Sequence, residues 1–165
     1  MRLREWIAAF RFLHEKARRD SLTALEEGAY REARDDLAAM LLAAQRLSLN
    51  PNDTAREALR VVRALPLDLR LAAGPVRAQT LDISTGGFSS IIDRAPQQDE
   101  VVACSLRLSS GPLLGSARVT SILDQGGTFR VSFRLEALSR ADRERLGTEV
   151  MDAALEQLAN LVEHA

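Results

Sequence analysis

The stretch Leu65-Pro66-Leu67-Asp68-Leu69-Arg70-Leu71 sets a leucine at every second position, with a proline, an acid and a base between them. A period of two belongs to an extended chain that turns one face to a core, so this segment predicts a β-strand. Pro66 cannot donate to a ladder, which assigns it to an edge or a bulge. Further strand candidates follow at about 76–82, 87–92, 101–108, 113–123 and 128–135. Turn formers separate them, among them Ser109-Ser110-Gly111-Pro112 and Asp124-Gln125-Gly126-Gly127. Roughly six short antiparallel strands predict a small barrel, because closure removes exposed edges.

Upstream of this segment the period is helical. Leu3, Trp6, Ile7, Phe10 and Leu13 recur on one face, with Arg4, Arg11, Glu15 and Arg18 on the other. Thr23 followed by Glu26 has the spacing of a capping box, and Leu37, Met40, Leu41 and Ala44 carry a second helix to about Leu47. The short break from Arg19 to Leu22 predicts an antiparallel pair. Trp6, Phe10 and Phe12 give this pair an apolar surface that needs cover from the other helix, the barrel or a partner chain. Ser48 to Ala55 is dense in turn formers and holds Pro51, so the boundary falls there: residues 1–50 form an N-terminal helical hairpin, and residues 51–165 a barrel with a C-terminal helix. Ser139 caps that last helix, with Leu146, Val150, Leu158 and Leu161 inward and Gly147 weakening its first part. The fold class is α+β with a mainly β core.

Composition removes several functions. Lys+Arg 22 against Asp+Glu 23 leaves a net charge of −1, which argues against electrostatically driven binding of nucleic acid or a membrane surface. Trp6, Tyr30 and five phenylalanines are few platforms for stacking single-stranded bases. Cys104 is the single cysteine, so this chain builds no internal disulfide and no cysteine zinc cluster. It stands in phase with Val102, Leu106 and Leu108 as a small buried hydrophobe. No apolar run approaches the ~20 residues of a membrane span, and with the lone cysteine this predicts a cytoplasmic protein without membrane insertion. His14 lies in the first helix and His164 beside the terminus, so no imidazole is paired with a nucleophile; no catalytic residue and no metal ligand is expected.

The chemically informative stretch is Leu81 to Ser89, LDISTGGFS, with Asp82, Ser84 and Gly87 in a D-x-S-x-x-G spacing. Asp82 and Ser84 stand two apart on an extended chain and so share a face, where a carboxylate and a hydroxyl can accept from and donate to a flat heterocycle. Gly86 and Gly87 permit positive φ and close approach of a ligand or another strand. Taken alone, the same letters also make an Asp/Ser-rich turn. Arg56-Glu-Ala-Leu-Arg60 is an R-x-x-x-R at the junction of linker and first strand, where the chain could fold over an anion. Arg130 and Arg134 repeat that spacing but alternate with Phe129, Val131, Phe133 and Leu135, as the solvent side of a strand does, and are set aside.

The two motifs in this order resemble the PilZ domain family of bacterial cyclic di-GMP receptors. Phe129 to Leu146, FRVSFRLEALSRADRERL, is similar to that family's last barrel strand and following helix, so the resemblance covers about residues 55–146. It implies a six-stranded antiparallel PilZ-type β-barrel that binds cyclic di-GMP on its outer face and needs no cofactor. The implied ligand residues are Arg56, Arg60, Asp82, Ser84 and Gly87, with Arg63 and Gly86 as weaker candidates. Each arginine would form bidentate hydrogen bonds to phosphate or to guanine O6/N7 and stack on a purine. Asp82 would accept from guanine N–H groups, Ser84 would add a polar contact, and Gly87 would leave room. Ala55 stands where members often carry a further arginine, which leaves ligand stoichiometry open. The implied function is a non-catalytic receptor in which capture at the arginine motif rearranges the helical and barrel parts, its partners being the nucleotide and either a protein target or a second copy through the helices. The alternative is a nucleotide-independent PilZ-like adaptor or oligomerisation module.

Overall fold

The computed structural model describes residues 2–48 and 58–163. The chain divides into two compact units, Met1–Leu59 with Met151–Ala165, and Arg60–Val150.

The first unit is helical. Its helices are α1 (Leu3–Arg18), α2 (Ala24–Leu47) and the C-terminal half of α3 (Arg140–Glu163). Asp20, at φ 53°, stops α1, and Thr23 starts α2: its hydroxyl accepts from the Glu26 amide at 3.3 Å while Glu26 accepts from the Thr23 amide, the expected reciprocal cap. Lys16 reaches back to Glu26 at 2.7 Å, and Phe10 stacks on Tyr30 at 5.6 Å. These pairings run in opposite chain directions, so the two helices are antiparallel as expected. Four apolar expectations fail, since Leu3 and Ala44 are exposed along with Met40 and Phe12. Met40 is exposed, because the inner face of α2 is carried by Tyr30 and Leu37. Phe12 is exposed too, with the Lys16 ammonium 5.7 Å from its ring.

The second unit holds seven strands: β1 (Val61–Val62), β2 (Pro66–Leu71), β3 (Gly74–Ile83), β4 (Gly87–Ile92), β5 (Val101–Leu108), β6 (Gly111–Asp124) and β7 (Phe129–Glu136). The antiparallel order β2-β3-β4-β7-β6-β5 returns to β2 and closes a six-stranded barrel, with β1 outside it as a third partner of β3. Leu67, Leu69 and Leu71 alternate into its core with Cys104, Leu106, Leu113, Val119 and Val131, so the period of two was a sound guide to burial. Cross-strand Phe88 and Phe133 stack at 4.9 Å. Burial pushes the Cys104 thiol up to about 11, which keeps it protonated and inert. Pro66 opens β2, where its missing donor costs no ladder bond. Ser139 caps α3 by accepting from the Asp142 amide at 3.1 Å. Leu146 and Val150 on its first half are buried as expected.

Two irregularities shape the barrel. On β3, Thr80 opposes Ser90 and Asp82 opposes Ser89, so three residues face two and Leu81 is the extra one. On β6, Val119 opposes Phe133 and Ser121 opposes Ser132, which makes Thr120 extra in the same way. Both lie level with the Ser89–Ser132 pair that joins β4 to β7. Thr80 also mends the gap between β1 and β2: its hydroxyl accepts from the Leu65 amide at 2.9 Å and donates to the Arg63 carbonyl at 2.6 Å.

Candidate functional site

The bulge at Leu81 decides where Asp82 points. Ser90, on the same side of β4 as buried Phe88 and Ile92, faces the core, and so does its partner Thr80. Uninterrupted alternation would turn Asp82 inward as well. With Leu81 inserted, Asp82 instead stands beside Ser89 on the outer face, and Ile83 takes the core position beside Phe88.

Three groups converge on the Asp82 carboxylate. The Ser89 hydroxyl donates to Oδ1 at 2.8 Å, and the Arg60 Nε lies 3.8 Å from the same oxygen. An Arg130 nitrogen lies 3.7 Å from Oδ2. The carboxylate is mostly buried, whereas Arg60 and Arg130 keep 38% and 47% of their side chains exposed. Two guanidiniums against one carboxylate give this cluster an excess of one positive charge, which suits an anionic ligand. Beside it, exposed Val62 sits opposite Asp82 in the β1–β3 register. Val62, Leu81 and Ile91 line an open groove of about 630 Å³, rimmed by Arg77 and Gln79. An apolar floor next to cationic forks can hold a flat heterocycle that carries phosphates.

Ser84 and the glycines act on the backbone. The Ser84 hydroxyl accepts from the Gly86 amide at 3.2 Å and the Gly87 amide at 3.1 Å, and its own amide donates to the Gly87 carbonyl at 2.8 Å. This closes the turn from β3 to β4. Neither Gly86 nor Gly87 uses positive φ, contrary to expectation. Gly87 is needed because β7 passes so close that an added Cβ would collide with the Phe133 carbonyl oxygen. The close neighbour is thus a strand, and the glycine lets β4 seat against β7.

Sequence reasoning placed Arg63 either among the ligand contacts or on the strand surface; in the structure it is half-buried just after β1. Its Nε lies 3.7 Å from Oε1 of Glu149 on α3, a buried carboxylate that also accepts from the Ser109 amide at 3.2 Å and hydroxyl at 3.0 Å. Arg63 thereby ties the strand segment to the helix. Arg56 lies outside the described residues. Arg130 is the residue that sequence reasoning set aside: it does alternate with buried Val131 and Phe133, yet the outer face it shares is the one that carries Asp82. The pairing of Arg130 with Ile91 across β4 is the signal that finds it, and strand spacing alone does not contain it. Among the described residues, no group of three or more His, Cys, Asp or Glu side chains is placed to hold a metal ion, and no helix is long and apolar enough to cross a membrane.

The PilZ domain family model matches residues 54–152, more than half of the chain. No curated protein matches. Among solved structures, the PilZ domain of Escherichia coli YcgR with c-di-GMP aligns at TM-score 0.55 and 20% identity, covering 66% of this chain and 98% of that one. Bacillus subtilis MotI/DgrA, an inhibitor of motility, aligns at 0.54 and 16%, covering 67% and 57%. The K. pneumonia MrkH–c-di-GMP complex aligns at 0.56 and 16%, covering 66% and 56%. The chain thus spans under two thirds of MotI/DgrA and of MrkH, and at these identities the likeness speaks for the barrel. With the family model over residues 54–152, the closed six-stranded barrel and the outer-face Asp82 cluster, this chain belongs to the PilZ domain family.

Proposed function

We propose that this protein is a non-catalytic, cytoplasmic receptor for cyclic di-GMP, which it binds on the outer face of the barrel around Asp82. The carrying observation is that Arg60, the second arginine of R-x-x-x-R, comes within 3.8 Å of Asp82, the acid of D-x-S-x-x-G, although 22 residues separate them. Arg56 and Arg60 clamp phosphate and guanine edges with their planar forks. Asp82 accepts from guanine N–H donors while Ser89 fixes its rotamer, and Ser84 and Gly87 hold the turn that presents it. That c-di-GMP occupies the PilZ domain of E. coli YcgR supports the same ligand here.

Binding at Arg56 and Arg60 changes the geometry between the helical and barrel parts, since the arginine motif lies in the chain between them; ordering such a junction is a known switching mode. A protein target or a second copy of the chain then reads that change. Isothermal titration with cyclic di-GMP should show micromolar or tighter binding that is lost in Arg60→Ala. Absence of heat with the unmodified protein overturns this reading and leaves the nucleotide-independent adaptor.

A further inference from the structure

We propose that Arg130, on β7 and outside both sequence motifs, is a third guanidinium of the nucleotide site, donating directly to the phosphodiester or guanine edge of the cyclic dinucleotide. This deepens the receptor reading above and rests on it.

Three observations carry the proposal. The first is placement. Arg130 opposes Ile91 on one side and Leu123 on the other, while the next outward residue of β7, Ser132, opposes Ser89, the partner of Asp82. Its guanidinium therefore approaches Asp82 diagonally across β4 and meets Oδ2, leaving Oδ1 to Ser89 and Arg60. Arginines thus reach the acid from two sides of one shallow surface.

The second is unspent donor capacity. At 3.7 Å the contact with Asp82 is an ion pair longer than a hydrogen bond, and Asp82 is the one ionic partner of Arg130 among the described residues. A guanidinium has five N–H donors in a planar fork, and nearly half of this side chain meets solvent. Phosphodiester oxygens supply both the acceptors and the negative charge that the cluster lacks. Arg134, four residues on along the same face, is the internal control. It lies 3.5 Å from Glu136, which Arg118 also holds at 2.6 Å, so its acid partner is a different carboxylate from Asp82.

The third is the neighbourhood. Ile91 and Leu123, the two residues that flank Arg130 across the strands, are exposed apolar side chains. A base laid on such a strip would bury apolar surface and stack against the guanidinium plane.

The test is titration calorimetry with cyclic di-GMP on the full chain, with melting followed in parallel. Arg130→Ala should weaken binding about ten-fold or more, equivalent to about 1.4 kcal/mol, at an unchanged melting temperature. Arg134→Ala should stay within about two-fold. Because Arg130 could act only by orienting Asp82, the substitution is repeated in an Asp82→Asn background, where a direct contact still weakens binding and a counter-ion effect vanishes. Arg130→Ala that binds like the parent, or an effect that disappears in Asp82→Asn, overturns this inference and leaves the receptor reading standing. No binding by the parent chain overturns both.

Discussion

Two clusters in the barrel unit are built from the same parts, an acid, a serine and arginine, and they are finished differently. Glu149 accepts from the amide and hydroxyl of Ser109 and faces Arg63, whose side chain is only 17% exposed. Asp82 accepts from Ser89 and faces two arginines at 3.7–3.8 Å, no farther than Arg63 is from Glu149, but these two remain wet. Around Glu149 the donors are used internally, which fastens α3 to the strands. Around Asp82 the two guanidiniums stand near the acid with 38% and 47% of their side chains open to solvent. Exposure of the facing cations therefore separates the two clusters, and the proposed nucleotide site is the one whose cations meet solvent.

The contrast can be broken by substitution. The largest effect is expected at Gly87→Val, which drives a side chain into the Phe133 carbonyl and must part β4 from β7; unfolding should become easier by about 3 kcal/mol or more in urea titration, and a near-native midpoint would show that the close approach is not needed. Glu149→Ala leaves the Ser109 donors and Arg63 without their buried acceptor and should cost about 2–3 kcal/mol of stability while the affinity for cyclic di-GMP stays within about two-fold. Asp82→Ala should do the reverse, weakening the nucleotide about ten-fold or more and costing about 1–2 kcal/mol of stability, because its arginines can rehydrate and only the buried Ser89 hydroxyl loses its acceptor. If the last two variants exchanged effects, the assignment of the clusters would be inverted.

A polar pair in the helical unit adds a smaller test. His14 is buried between the Tyr30 hydroxyl at 2.8 Å and Asp152 at 3.1 Å, and burial holds its pKa below the ordinary 6.5, the largest influence, although Asp152 pulls the other way. The unfolded chain then binds a proton more readily than the folded one. This contribution is present above pH 6.5 and is lost as pH falls through the depressed folded value. The urea midpoint of the helical unit, read from Trp6 fluorescence, should drop between about pH 7.5 and about pH 5.5, and the drop should shrink in His14→Gln. An equal drop in that variant would assign the pH dependence to other groups.

Most of the architecture was legible because its causes are local. Leucine alternation in β2, the Thr23 and Ser139 caps and the glycine turn after Asp124 each fix their own neighbourhood, and a sheet of such strands closes to shed its edges. The site was legible in part. The motifs named Arg60 and Asp82, and the structure brings them together. Arg130 and the Arg63–Glu149 pair were not legible, because strand register and helix docking join residues 48 and 86 positions apart, and spacing along the chain has no access to either. Of the two reasons given for Gly87, positive φ fails and close approach of another strand holds, that strand being β7, more than 40 residues away.

The supernumerary Leu81 works as a change of reading frame in space. A chain with the same letters from Asp82 to Gly87, but one residue fewer ahead of them, would deliver its acid to a leucine-filled interior and its isoleucine to water. The letters therefore bring the acid to the outer face only together with the odd or even count back to the preceding hairpin. Barrels that keep the motif and lose that parity should be deaf to the messenger, however well their sequences align.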